Sequence, residues 1–572
     1  MLVWFSTLGW KPFAVINTIW HFCASESRFP DKIYLIKNDV EKINKHVPTV
    51  KKWLGKLMES YASEKKLNIE ILDLRSDKIE DYAKLMKTAL KLHIDRTGVE
   101  IIIDITPGKK YMSILLSNMA MQNKNRFQHV YYNDLFDERY MDTYFPLIPK
   151  EEYELVDMLD YFELLAPEMQ EKKGDASSPA KPLKNKPGCA PRLAEIEKSN
   201  RMGTLSKDIF LTLDQLIIIV NELGALDTKE YMIEASPLGC EIFKMKKSGN
   251  FEVMRGPDIS KMKSAPPRSI EKEFEISEYW YDLCKISGLV RPENTAEIEE
   301  QLQVLYNFNP LNGDLPPTIC MDSNLFRYRL YTCFLQGALK KLRNHKIGFL
   351  LSEKVGDELA NFDRKFRKED IAGYAAYLED NCASNSQSSK AWHLKTCEKM
   401  FNQLEHEQRL RRIGFDEYNK VKKREQYGTV ISKKEGNSPD MEIISNLREH
   451  VRNNNIRSLF LSEDRDAIAR AMGNANILTL LVKYPSPNSL NNSLRVDSYS
   501  ISNLLFTSAI YFGGILVHMR TASNALEPLF MLQGIWSGKT ADEWTNEKVK
   551  VWGNPQFLER VAKFVDILSA ME

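Results

Sequence analysis

One stretch constrains this chain more than any other. Val99-Glu-Ile-Ile-Ile-Asp-Ile-Thr-Pro-Gly-Lys-Lys-Tyr-Met-Ser113 changes character at a single point. Val99, Ile101, Ile102, Ile103 and Ile105 form a nearly continuous β-branched run, the pattern of a parallel strand covered on both faces by helices. Thr106, Pro107, Gly108, Lys109 and Lys110 then supply a hydroxyl, a fixed φ, a residue without Cβ and two cations, directly before a helix predicted over Tyr111–Met121. In a doubly wound sheet this turn lies at the carboxyl end of a strand and the amino end of a helix, where backbone N–H groups and the helix dipole favour an anion. Read without a ligand, the same residues make a tight βα turn with exposed lysines.

The flanking sequence repeats the pattern. Leu2–Phe5 reads as a strand broken by Ser6, Thr7, Leu8, Gly9 and Trp10, and Pro12–Phe22 has helical apolar spacing. Further strands are predicted at Ile33–Ile36, ending in Lys37-Asn38-Asp39, at Ile69–Leu74 and at Val130–Tyr132, with helices over Val50–Lys65 and Lys78–His93. Strands alternating with helices at this spacing imply a βαβ sheet, whose polar strand ends converge on one crevice.

The pair Ser6-Thr-Leu-Gly9 and Asp104-Ile-Thr-Pro-Gly-Lys-Lys110 resembles the two signature loops of CARF domains, the Rossmann-like sensor modules of type III CRISPR ancillary effectors. The resemblance implies a sensing and dimerisation domain over 1–165 and a homodimer whose crevices bind a cyclic oligoadenylate, with cyclic tetra-adenylate as the expected ring. Carried over by position, the ligand contacts are Ser6, Thr7, Gly9, Trp10, Asn38, Thr106, Pro107, Gly108, Lys109 and Lys110. The chemistry is compatible: ring phosphates need N–H groups, hydroxyls and lysines, while adenines need an aromatic face, which Trp10 offers unless it packs in the core.

Residues 166–200 are rich in Lys, Pro, Ser, Ala and Gly and read as a flexible linker. The following segment, 201–312, reads as a mixed α/β or helical adaptor, with a two-helix pattern over Leu205–Asp227 that suits a helix-turn-helix, or as a plain spacer. Overall charge excludes a global basic field, since 79 Lys+Arg face 78 Asp+Glu, so any nucleic acid must be met by local patches. Eight cysteines without a CxxC pair read as reduced thiols of a cytoplasmic protein, and the amino terminus shows no charged leader or small-residue cleavage site. Leu504–Val517 is uncharged and apolar, but a membrane span needs about 20 residues. With Gly513-Gly514 inside, it reads as a buried helix or a helix-turn-strand, and no membrane partner is expected.

Acids recur at strand ends and helix starts in the last third of the chain. Thr318–Met321 runs into Asp322-Ser-Asn324; Ile347–Leu351 precedes Ser352-Glu-Lys-Val-Gly-Asp-Glu358; Asp440 opens a helix; Ser458–Leu461 ends in Ser462-Glu-Asp464-Arg-Asp466. A parallel sheet gathers such positions at one edge. Unit charges about 4 Å apart repel by roughly 4 kcal/mol at an effective dielectric of about 20, so gathered carboxylates call for a counter-charge. Asp and Glu oxygens with water suit Mg²⁺ or Mn²⁺, which activates water and neutralises charge on a phosphodiester. Each acid taken singly is also an ordinary helix cap, as Ser352 and Asp440 illustrate.

The ordered set resembles the PIN nuclease domain. That resemblance implies a PIN-like α/β domain over 313–572 and a metal site of Asp322, Glu358, Asp440 and Asp464 with Asp466 as a further catalytic acid; the charged helical insert over 363–437 departs from the family pattern, being much longer than compact PIN toxins carry. Arg409, Arg411, Arg412, Lys422, Lys423 and Arg424 of the insert suit either an RNA backbone or a solvated helix face. Together the two resemblances imply a homodimeric, cyclic-oligoadenylate-activated, metal-dependent endoribonuclease cutting single-stranded RNA, with DNA as a possible substrate. The alternative is a ligand-responsive nucleic-acid-binding regulator with an inactive carboxyl-terminal domain. A HEPN-type ribonuclease does not fit, because His450 and His345 each follow an arginine by only two positions.

Overall fold

A computed structural model describes residues 1–38, 41–74, 78–94, 96–107, 110–123, 126–160, 209–236, 238–248, 250–257, 279–342, 347–360, 387–400, 406–424, 428–431, 439–534 and 548–571. The linker expected over 166–200 lies outside them, as do Gly108 and Lys109. Two compact units emerge: one combines 1–192, 217–227 and 556–572, and the other combines 193–216 and 228–555.

In the first unit, β1 (Leu2–Thr7), β2 (Lys32–Asn38), β3 (Ile69–Leu74), β4 (Glu100–Asp104), β5 (His129–Leu135) and β6 (Tyr153–Asp157) form one sheet in the order β3-β2-β1-β4-β5-β6. The first five are parallel and β6 closes the edge antiparallel, a Rossmann-like arrangement. The β-branched run behaves as its composition requires: Ile101, Ile102 and Ile103 are buried with helices on both faces, each such side chain contributing about 1.5–3 kcal/mol. The helices Pro12–Glu26, Val47–Tyr61, Ile79–Ile94 and Lys110–Gln122 fall where apolar spacing puts them. The helix Pro555–Met571 joins this unit, where Arg560 Nε meets Glu222 Oε2 at 3.0 Å.

The second unit holds two sheets. Its strands in chain order are β7 (Ile209–Leu211), β8 (Glu230–Ala235), β9 (Cys240–Ser248), β10 (Asn250–Arg255), β11 (Pro317–Met321), β12 (Gly348–Ser352), β13 (Gly428–Ile431), β14 (Arg457–Ser462), β15 (Ile477–Leu481), β16 (Ser493–Val496), β17 (Gly514–Arg520), β18 (Leu526–Gly534) and β19 (Val549–Gly553). An eight-stranded antiparallel sheet runs β16-β10-β9-β8-β17-β18-β19-β7, and a five-stranded parallel sheet runs β13-β12-β11-β14-β15. The parallel sheet therefore has the strand order of the first unit's sheet, built from its own five strands.

Several expectations change. The segment 201–312 is no separate adaptor: its strands share a sheet with β16–β19, and the described residues of the two-helix pattern over Leu205–Asp227 form strand β7 and one helix, Leu216–Ala225. Ile209 and Leu211 face inward while Phe210 is exposed, the alternation of an edge strand. The apolar segment Leu325–Leu342 does not form one continuous helix. Arg329 adopts φ 54, held there by bonds from its buried guanidinium to Asn503 Oδ1 and the Ile286 carbonyl, and a π-helical turn and a short α-helix follow. Leu504–Val517 is a buried helix end, a turn at Gly513 (φ 77) and strand β17. No helix among the described residues is long and apolar enough to cross a membrane, and Cys23, Cys240, Cys284, Cys320 and Cys333 are free thiols.

Candidate functional site

In the first unit β1 leads to β2 on one side, while β4 leads to β5 on the other, so a crevice opens at the carboxyl ends of the adjacent strands β1 and β4. The register sets Ser6 opposite Asp104. Ser6 Oγ donates to Asp104 Oδ2 at 2.8 Å, the Thr106 N–H donates to Asp104 Oδ1 at 3.0 Å, and Thr7 Oγ1 donates to the Pro107 carbonyl. Thr106 Oγ1 in turn accepts from the Asn133 N–H at 2.7 Å. Burial pushes the Asp104 carboxyl up to about 7, against the pull of bonds from Thr106, Ser6 and Thr18.

This geometry divides the expected ligand contacts into two groups. Ser6, Thr7, Gly9 and Pro107 are buried, and the two hydroxyls cross-link the loops. Thr106 is half-buried, Lys110 is exposed at the first turn of its helix, and Trp10 is 62% exposed, which places it on the surface and not in the core. Asn38 ends β2, and Gly108 and Lys109 lie outside the described residues. Asp104 was not among the residues expected to matter. Its signal was available: an acid interrupting a β-branched run at the point where the strand ends.

In the second unit the strand order of the parallel sheet reverses at β11 and β14, with β12 and β13 added on one side and β15 on the other. Asp322 follows β11, caps the helix Ser323–Arg327 through a bond from the Leu325 N–H at 3.1 Å, and accepts a hydrogen bond from Ser462 Oγ at the end of β14. The Asp464 N–H donates to the same Ser462 Oγ at 2.9 Å, while the Asp464 carboxylate caps the helix Arg465–Ala471 through the Asp466 N–H at 2.8 Å. Ser462 thus joins Asp322 to the Asp464 turn. Burial raises the Asp322 carboxyl to about 6; hydrogen bonds from Ser462 and the Leu325 N–H oppose this, and the Glu463 charge adds to it.

The other expected acids are less gathered. Glu358 is half-buried in the last turn of the helix Glu353–Leu359, about 7 Å along the axis from the end nearest β12. Asp440 lies in the first turn of the helix Pro439–Asn454 with its side chain outside the description, and Asp466 is exposed. Among the described residues no group of three or more His, Cys, Asp or Glu side chains is arranged to hold a metal ion. Ser352 takes the N-cap position but its hydroxyl makes no capping bond. The insert's cations also divide. Arg409 and Arg412 are buried, Arg409 Nε donating to the Tyr511 carbonyl at 3.2 Å, and so do not offer a surface to RNA, whereas Lys422 and Lys423 are exposed.

No family model and no curated protein matches the chain. Among solved structures the chain is similar to "Enterococcus italicus Csm6 bound to cyclic hexa-2'-fluoro-hexa-dAMP", with 12% identity and a TM-score of 0.24. The match covers 39% of this chain and 49% of that one, so the chain spans about half of its length.

Proposed function

We propose that this protein is a metal-dependent endoribonuclease switched on by a cyclic oligoadenylate, an ancillary effector of type III CRISPR defence acting as a homodimer. The observation that carries the reading is the grouping of Asp322, Ser462 and Asp464 at the reversal point of one parallel sheet, on a chain whose other parallel sheet bears the CARF-like loops at its own reversal point.

In the sensor crevice, Thr106, Lys110 and the exposed face of Trp10 meet the ligand, and the resemblance adds Gly108 and Lys109 as contacts. Ser6, Thr7 and Asp104 hold the two loops at fixed separation. Lysine and N–H groups take the ring phosphates and Trp10 stacks an adenine. To move a switch from 1:99 to 99:1 the ligand must favour the active state by about 5.5 kcal/mol, within reach of a ring gripped by two crevices.

In the nuclease, two carboxylates suffice for Mg²⁺ or Mn²⁺, which commonly keeps several waters and takes its remaining oxygens from a phosphate. The donor types fit, because Asp322 and Asp464 both bear carboxylate oxygens and Ser462 Oγ joins the Asp322 carboxylate to the Asp464 backbone N–H; Glu358, Asp440 and Asp466 are the further acids proposed for the site. When bound, the ion supplies a water of lowered pKa and neutralises charge on the scissile phosphate. Ser462 orients the Asp322 carboxylate, and burial keeps that group in a low-dielectric setting where its charge acts strongly. Cyclic tetra-adenylate is the activator to test first, with single-stranded RNA as substrate and Mn²⁺ present. Cleavage that needs ligand, metal and Asp322 supports the reading. Ligand binding without cleavage, under any ring size, overturns the nuclease and leaves the binding regulator.

A further inference from the structure

A buried cation stands behind the acids. Lys285, in the helix Tyr279–Ile286, has a side chain only 2% exposed, and its Nζ lies 3.1 Å from Glu463 Oε1. Three tyrosines surround the same ammonium, with ring centroids at 3.5 Å for Tyr328, 4.7 Å for Tyr281 and 4.9 Å for Tyr484. Tyr328 and Tyr484 meet edge to face at 5.9 Å. Withdrawing an ammonium from water costs several kcal/mol, and the arrangement offsets this with a carboxylate and three aromatic faces.

The place where this cation acts is specific. Glu463 is the residue between Ser462, whose hydroxyl donates to Asp322, and Asp464, whose N–H returns to that hydroxyl. Tyr328 belongs to the turn that ends the helix begun by Asp322. Both sides of the acidic site therefore rest on one ammonium.

We infer that Lys285 is a positioning residue of the hydrolytic site: its ammonium, caged by Tyr281, Tyr328 and Tyr484, pins Glu463 and so fixes the Ser462–Asp466 turn whose Ser462 hydroxyl holds the Asp322 carboxylate. The inference rests on the reading of Asp322 and Asp464 as the hydrolytic pair. Lys285 itself touches neither acid. It acts through Glu463, and removing its charge leaves a half-buried carboxylate unpaired and the turn free to swing.

Lys285→Met keeps most of the volume of the side chain in the cage and deletes the charge. The test compares the parent, Lys285→Met, Glu463→Gln and Lys285→Met/Glu463→Gln as full chains, by hydrogen exchange over 457–468 and by RNA cleavage. In Lys285→Met the 462–466 amides are expected to exchange about tenfold faster, with peptides of β1–β6 unchanged. Its kcat is expected to fall about 10- to 100-fold with KM nearly constant, the mark of a displaced group. Because both partners of one tether are then gone, exchange and kcat of the double variant are expected within about threefold of Glu463→Gln alone, by the logic of a double-mutant cycle. Unchanged exchange at 462–466 in Lys285→Met, or losses in the double variant that add those of the two single variants, overturns the inference. If the parent cuts no RNA, the nuclease reading falls, and the exchange data still decide whether Lys285 holds the turn.

Discussion

Ser462 donates its hydroxyl proton to the Asp322 carboxylate across the carboxyl ends of β14 and β11, and Ser462 Oγ also accepts the Asp464 N–H at 2.9 Å. The first unit has a counterpart, Ser6 to Asp104 at 2.8 Å across β1 and β4. The pairs are reversed in sequence, with serine on the first strand in one sheet and on the fourth in the other. Both stand at the point where a parallel sheet turns around, and in both a buried carboxyl is raised well above its ordinary value.

Removing the Ser462 hydroxyl tests the second pair. Ser462→Ala leaves a buried carboxylate oxygen and the Asp464 N–H without that partner, a loss of about 1–3 kcal/mol in stability. Urea unfolding should show it. Cleavage should fall about tenfold or more through kcat as Asp322 loses its orientation.

The first pair has a pH signature. The Asp104 carboxyl titrates at about 7 in the fold, against about 3.9 unfolded, so folding favours its protonated form. That stabilisation is full below about pH 4 and is lost as pH rises through about 7, at most about 4 kcal/mol in all. Asp104→Asn carries no such loss. Between about pH 5 and about pH 8 the Tm of the parent should therefore fall relative to Asp104→Asn. Parallel curves would show that Asp104 ionises normally.

Ligand recognition separates into charge and stacking. Lys110→Ala should weaken cyclic tetra-adenylate binding about tenfold, with a shallower salt dependence, because a phosphate contact is lost. Trp10→Ala should cost about 1–3 kcal/mol through lost stacking, independent of salt. Calorimetric titration at two ionic strengths distinguishes them.

Gly414 marks a close helix contact near the acids. A Cβ there would lie 2.8 Å from Leu359 Cδ2 and 3.1 Å from the Arg327 backbone nitrogen. Gly414→Ala should destabilise by about 1–3 kcal/mol despite alanine's better helix propensity, because the Arg327 backbone cannot yield as a flexible side chain would. Equal or greater stability in urea would contradict this packing.

How much was legible in the sequence follows from where each signal is carried. The β-branched run around Ile101–Ile103 announces its strand and both covering layers, and the flanking helices follow from apolar spacing. The eight-stranded sheet is illegible because its strands come from 209–255 and 493–553, and no local pattern states that they pair. Arg409 and Arg412 look like surface charge in a polar run, yet tertiary packing buries them. Arg329 breaks a continuous apolar pattern through bonds to distant residues. Asp322, Ser462 and Asp464 were visible as residue types at strand ends, but that one serine joins the two acids is a property of register. Lys285 and Glu463, 178 positions apart, share no sequence signal at all.

The central claim is that one chain couples a cyclic-oligoadenylate crevice to an Asp322-centred nuclease. The most direct measurement is cleavage of labelled single-stranded RNA by the purified protein with Mn²⁺, with and without cyclic tetra-adenylate, beside Asp322→Asn. The expected result is cleavage only with ligand and metal together, reduced by about a hundredfold or more in Asp322→Asn while ligand binding is retained. Cleavage by Asp322→Asn at the parent's rate, or cleavage indifferent to the ligand, would contradict the account.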